Sequence, residues 1–211
     1  MCKFALCVGA VVLCALTSPV WAGPVVNGIV LTGEYAVSLP DALGEAGLDN
    51  PGLDIRTLEF DQDAAWYYMG LTVNTPPLDT DGGSTSRWHE TILKTILYAD
   101  ATGTTAAYYL DVVMNAGGVA NVNLYDGSFT PILLAPADYQ ASVGVVPYQA
   151  LEVAISTLKM SLIATPFYVF AQLDDTGNAK DDQIEGVVPE PATIGLMGLG
   201  AAVALLGRRK K

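Results

Sequence analysis

Tyr108-Tyr109-Leu110-Asp111-Val112-Val113-Met114 is the stretch that settles the fold class. Tyr108, Leu110, Val112 and Met114 occupy alternate positions, and Tyr109, Asp111 and Val113 lie between them. A period of two marks a strand with one buried face, because successive side chains leave a pleated backbone on opposite sides. The pattern recurs on both sides of this stretch. Tyr67, Met69, Leu71 and Val73 line one face of a second strand, and Val122 and Leu124 alternate with Asn121, Asn123 and Tyr125. Leu151, Val153 and Ile155 alternate with Glu152, Ala154 and Ser156, and Phe167, Val169, Ala171 and Leu173 form a last strand. Clusters of Gly, Pro, Asp and Asn separate these runs, and helical periodicity is scarce. The fold class is therefore mostly β, an antiparallel two-sheet β-sandwich in which each sheet buries one face.

Some stretches depart from the alternation. Residues 41–46 have the composition of a single helical turn. In 88–98, Trp88, Ile92 and Thr95 stand at helical spacing, yet the stretch also fits a strand and is assigned as one. Residues 75–86 form a long polar loop, and 174–186 lead out of the last strand.

The two ends of the chain are of another kind. Met1-Cys2-Lys3 is a short positive region, residues 4–16 are an apolar run of 13, and Val20-Trp21-Ala22 offers small residues for cleavage. This is the layout of a signal peptide over 1–22, handled by the Sec export machinery and removed after Ala22. At the other end, Pro189-Glu190-Pro191 is a stiff, extended segment. The 16 uncharged residues 192–207 follow, a marginal membrane helix. Arg208, Arg209, Lys210 and Lys211 then form a basic stop that holds its end in the cytoplasm. Motif, apolar span and basic end in this order resemble a PEP-CTERM sorting signal over 188–211. The resemblance implies recognition by an exosortase near the Pro-Glu-Pro, transient anchoring in the inner membrane, and release to the cell surface or extracellular matrix. An ordinary C-terminal anchor behind a proline linker would share the topology without the processing.

Between the two segments, residues 23–187 form one domain. All three cysteines, Cys2, Cys7 and Cys14, lie in the signal, so the domain must be stable through burial alone. The chain of 211 residues carries a net charge of −12. Of its 22 acidic residues only Glu190 lies outside 23–187, whereas five of the 10 basic residues do, which leaves the domain at −16. A charge of that sign excludes nucleic acid and anionic lipid as partners, since phosphate contacts need clustered Lys and Arg.

No stretch carries a catalytic signature. His89 is the only histidine; Asp81, Ser84 and Ser86 are near it in sequence, but no nucleophile-elbow pattern surrounds a serine. Asp79 and Asp81 precede two glycines and could wrap a hard cation such as Ca2+, the one cofactor to consider. Asp174, Thr176, Asn178, Lys180, Asp182 and Glu185 fall on the ligand spacing of an EF-hand, but Ala179 stands where that turn needs Gly and a strand precedes it, so the match is taken as coincidence. Asp49, Asp54, Asp61 and Asp63 read as turn and solvent-facing residues.

Leu53-Asp54-Ile55-Arg56-Thr57-Leu58 with residues 66–71, and Ala150-Leu151-Glu152-Val153-Ala154-Ile155 before 167–173, are similar to the strand order of DOMON-like and family 9-type carbohydrate-binding β-sandwiches. The resemblance implies a sandwich fold and leaves the sugar-binding aromatics of those modules without assigned positions. Haem-binding members of the class use Met and His ligands, which Met69 or Met114 with His89 could only imitate. Aromatic rings can stack on the apolar face of a sugar. In each of the tandem pairs Tyr67-Tyr68 and Tyr108-Tyr109 one ring must face in and the other out. The candidate stacking residues are Trp66, Tyr68, Trp88 and Tyr109.

The sequence thus reads as an exported, exosortase-sorted, non-enzymatic protein of the cell envelope or matrix, with extracellular polysaccharide as a candidate partner. A secreted carbohydrate-active enzyme with a carboxylate pair and a calcium-stabilised adhesive module are the alternatives.

Overall fold

The computed structural model describes residues 23–41, 54–73, 91–115, 118–144, 150–161, 163, 167–175 and 182–189. Eleven strands run through them: β1 (Val37–Pro40), β2 (Ile55–Gln62), β3 (Trp66–Val73), β4 (Thr91–Tyr98), β5 (Ala106–Asn115), β6 (Gly118–Asp126), β7 (Pro131–Ile132), β8 (Tyr139–Val143), β9 (Ala150–Ser156), β10 (Phe167–Asp175) and β11 (Asp182–Val188). They pair antiparallel throughout, in two sheets of order β1-β2-β3-β9-β8 and β11-β10-β4-β5-β6-β7, here sheet A and sheet B.

The alternating residues of β3, β5, β6 and β10 point inward and meet between the sheets. Leu71, Leu110, Val112, Leu124, Val169 and Leu173 are buried there with Ile55 and Leu58 of β2. Phe60 of β2 and Phe167 of β10 clamp one end of this core edge to face, with ring centroids 5.8 Å apart at 88°. Beside them lies an apolar void of about 20 Å³, lined by Leu97, Met160 and Ile163 among others. It has the character of a packing defect, since an apolar cavity of that size stays dry and holds no ligand. Among the described residues no helix is long and apolar enough to cross a membrane.

Within 88–98, the described residues Thr91–Tyr98 form a strand, and 88–90 lie outside the described residues. Thr91, Leu93, Thr95 and Leu97 are buried while Ile92, Lys94, Ile96 and Tyr98 are not, which is period two. Two expectations need correction. Residues 174–186 are not simply a passage out of the fold, because β11 begins at Asp182 and pairs with β10 from Leu173 back to Phe167. It runs through Val188, one residue into the stretch assigned to the tail, and Val188 is only 4% exposed. β9, in turn, is not open on one side. Its inner residues Leu151, Val153 and Ile155 are buried as expected, but so are Glu152 and Ala154 on the other face.

The N-terminal segment 23–35 explains that burial. It lies over the outer face of sheet A, where Tyr35, Tyr68 and Ala154 form a second small core with Val26, Val30 and Trp66 against it. Glu152 ties the segment down. Its Oε2 accepts from the backbone N–H groups of Asn27, Gly28 and Ile29 at 2.8, 2.6 and 3.1 Å, and its Oε1 accepts from the Tyr35 hydroxyl at 2.8 Å. Gly28 is required here: its φ is +81°, and a Cβ would stand 2.4 Å from the Gly144 nitrogen.

Candidate ligand-binding site

Among the described residues no segment covers the outer face of sheet B. The pairing of β10, β4, β5 and β6 places Phe170, Ile96, Tyr109 and Tyr125 side by side in one row across the strands. The next row is Gln172, Lys94, Asp111 and Asn123. Residues directly opposite in an antiparallel pair share a face, so the two rows form adjoining aromatic and polar stripes perpendicular to the strands. A groove of about 510 Å³ lies over them, lined by Lys94, Ile96, Tyr109, Asp111, Tyr125, Phe129, Phe170 and Gln172 with Thr95 beneath.

Phe129 completes the aromatic stripe from outside the sheet. It follows β6 in the turn Asp126-Gly127-Ser128-Phe129-Thr130, and its ring stacks on that of Tyr109 with centroids 3.8 Å apart and planes 19° from parallel. The outer side of the ring stays open, and Phe129 is 64% exposed. Its φ is +60°, a left-handed conformation that costs a residue with a Cβ about 1–2 kcal/mol. The turn is held in that shape. Asp126 Oδ1 accepts from the N–H groups of Ser128 and Thr130, both at 2.9 Å, and these bonds, Thr130 first, hold its carboxyl below the usual range. Gly127 lets the turn close, since a Cβ there would lie 2.2 Å from the Ala106 carbonyl oxygen.

The polar stripe has its own connections. Lys94 Nζ donates to Asp174 Oδ2, and Gln172 Nε2 donates to Asp174 Oδ1, so Asp174 is held from both sides. Asp111, half-buried, faces the same lysine. Its carboxyl is pushed up by burial, pulled down by the Lys94 charge and raised again by Asp174, and the net direction is upward.

Of the candidate stacking residues that are described, Tyr109 alone reaches this groove. Tyr108 faces the core and Tyr109 faces out, as the tandem pair requires. Tyr67 faces in and Tyr68 out, but Tyr68 is only 7% exposed because the N-terminal segment covers it. Its hydroxyl donates to Asp63 Oδ2 at 2.8 Å, and burial followed by that bond raises its pKa to about 12. Trp66 shares that outer face of sheet A, on the opposite side of the sandwich from Tyr109, so no single platform unites these residues. Trp88, His89, Asp79 and Asp81 lie outside the described residues, as do 1–22, Glu190 and Pro191, 192–207 and Arg208 to Lys211. Among the described residues no group of three His, Cys, Asp or Glu side chains could hold a metal ion. Asp174 and Glu185 sit on paired antiparallel strands rather than at the ends of a single ligating loop. Sequence reasoning missed Phe129, Phe170 and Lys94. Phe170 and Lys94 were signalled by their places in alternating runs opposite Ile96 and Asp111, but Phe129 sits in a turn, where no periodicity points to it.

Residues 187–211 match the PEP-CTERM protein-sorting motif. No curated relative matches the chain at a significant level. The protein is thus an exported β-sandwich that carries a PEP-CTERM motif and is sorted by the exosortase route to the cell surface, crossing the membrane on the way. The motif match begins at Val187, inside β11, so folded domain and sorting signal share two residues.

Proposed function

We propose that the exported sandwich is a non-enzymatic binding protein of the cell envelope or extracellular matrix, and that it holds polysaccharide in the groove over sheet B. The observation that carries this reading is Phe129. A large aromatic ring is kept exposed, at a conformational cost, by a turn pinned through Asp126 and by a second ring behind it. Strain retained on an exposed side chain is a mark of function rather than of packing. A flat open ring beside a row of amide, carboxylate and ammonium groups suits a sugar, whose apolar face stacks while its hydroxyls bond to the polar row. The likeness of the strand order to carbohydrate-binding sandwiches points the same way.

The test is retention on polysaccharide affinity gels of the protein purified from an exosortase-positive host. Wild type should be retarded by at least one polysaccharide, and Phe129→Ala should migrate freely while melting within a few degrees of wild type. Equal retardation of both would overturn the reading. A carbohydrate-active enzyme is the second reading, and the upward shift of Asp111 beside Asp174 is what favours it. Release of shortened oligosaccharides on incubation would select it over binding alone.

A further inference from the structure

The outer face of sheet B carries an uneven charge. Lys94 is its only cation among the described residues, and Asp174 already takes that charge. Asp111 stands across from Lys94 on β5, and Glu185 extends the aromatic row from β11, opposite Phe170. Among the described residues, three carboxylates against one ammonium leave this outer face net negative around the groove, whose own lining carries Lys94 and Asp111, within a domain of similar sign. A uronic-acid or sulfated polymer would meet repulsion here, with no cation besides Lys94 to bond among the described residues. An ammonium group laid over Asp111 would find a half-buried acceptor, where attraction exceeds that of a fully exposed pair yet is still weakened by salt.

The stripes also set a direction. Phe170, Ile96, Tyr109 and Tyr125 lie on four neighbouring strands spaced about 4.8 Å apart. That spacing is close to the length of one pyranose in an extended chain. A polymer lying across the strands would therefore place successive rings over successive strands, with one edge over the polar row. From this we infer that the groove selects an amino-sugar polymer with free ammonium groups, bound across the strands with an ammonium on Asp111.

The inference rests on the glycan-binding reading above, and the experiment separates the two. Isothermal titration at low salt would compare a glucosamine hexamer with its N-acetylated form, a cellulose hexamer and polygalacturonate. The glucosamine hexamer should bind about tenfold more tightly than either neutral hexamer. That margin should shrink as salt rises, and Asp111→Asn should remove it while neutral binding persists. Hexamers that bind alike, a preference for polygalacturonate, or a margin unchanged in Asp111→Asn would overturn the inference and leave glycan binding standing. No binding by any of the four probes would overturn both. The salt series on the wild type tests the charge without relying on a variant, and thermal melts show whether Asp111→Asn is folded.

Discussion

Phe129 and Glu152 are two side chains whose neighbours dictate opposite roles. Phe129 is held out in a left-handed conformation, so replacing it with Gly relieves backbone strain of about 1–2 kcal/mol and forfeits an aromatic pair of about 0.5–1.5 kcal/mol. The two nearly cancel. Phe129→Gly should therefore melt within a few degrees of wild type and lose polysaccharide retardation, and a large fall in melting temperature would show that the ring is structural. Glu152 is 0% exposed and accepts four hydrogen bonds, three of them from successive backbone N–H groups. Glu152→Gln puts an amide donor among donors, so urea unfolding should show a loss of about 2–4 kcal/mol. A change below about 0.5 kcal/mol would mean that the segment 23–35 is held by other contacts.

The strands were unequally legible. β3, β5, β6 and β10 are long and apolar on one face, so their period of two shows plainly, and Leu110 or Val169 could be placed in the core from the residues alone. β1, β7 and β8 are short edge strands with half-exposed side chains, and Pro40 and Pro131 lie in two of them, as edges tolerate. β11 was obscured by its composition. Asp182 and Glu185 look like linker residues, yet Asp182 is buried because its Oδ2 accepts from Ile55 N at 2.6 Å, a bond between residues 127 apart that no local pattern announces. The groove was half legible for a similar reason: Tyr109 could be named from its strand, whereas the ring that covers it comes from a turn. The burial of β11 constrains processing. Intact mass of the secreted form should show a chain that begins near Gly23 and ends after Val188, between Pro189 and Pro191. A chain shortened to residue 181 should fail to accumulate folded. Recovery of a secreted, folded form ending before Asp182 would contradict the place of β11 in the sheet.

Across the molecule, two sets of described carboxylates have opposite pH dependence. Burial pushes Asp182 up to about 6 against the bonds from Ile55 and Gln183, with Asp41 and Asp54 adding to the rise. Because its folded value lies above its ordinary one, it contributes stability at low pH that is lost as pH rises through about 6. Asp126 and Asp138 are held low, by the N–H of Thr130 and that of Ala135 respectively, and Asp100 is held at about 2, chiefly by the Thr102 hydroxyl. These three favour the fold above the ordinary carboxylate range and cease to do so as pH falls toward about 2. Self-repulsion of the acidic domain adds to the loss at higher pH. Melting temperature should therefore peak near pH 4–5, about where the two windows meet. Asp182→Asn should flatten the decline above it, and a melting temperature that rises steadily to pH 7 would contradict this balance.

The most direct measurement is a map of where a sugar touches the sandwich. Backbone amide shifts followed during titration with a glucosamine trimer should move at Lys94, Tyr109, Asp111, Phe129, Phe170 and Gln172, and stay still at Tyr35, Tyr68 and Glu152, where the N-terminal segment packs on sheet A. Shifts confined to sheet A, or none at millimolar sugar, would contradict a binding face on sheet B.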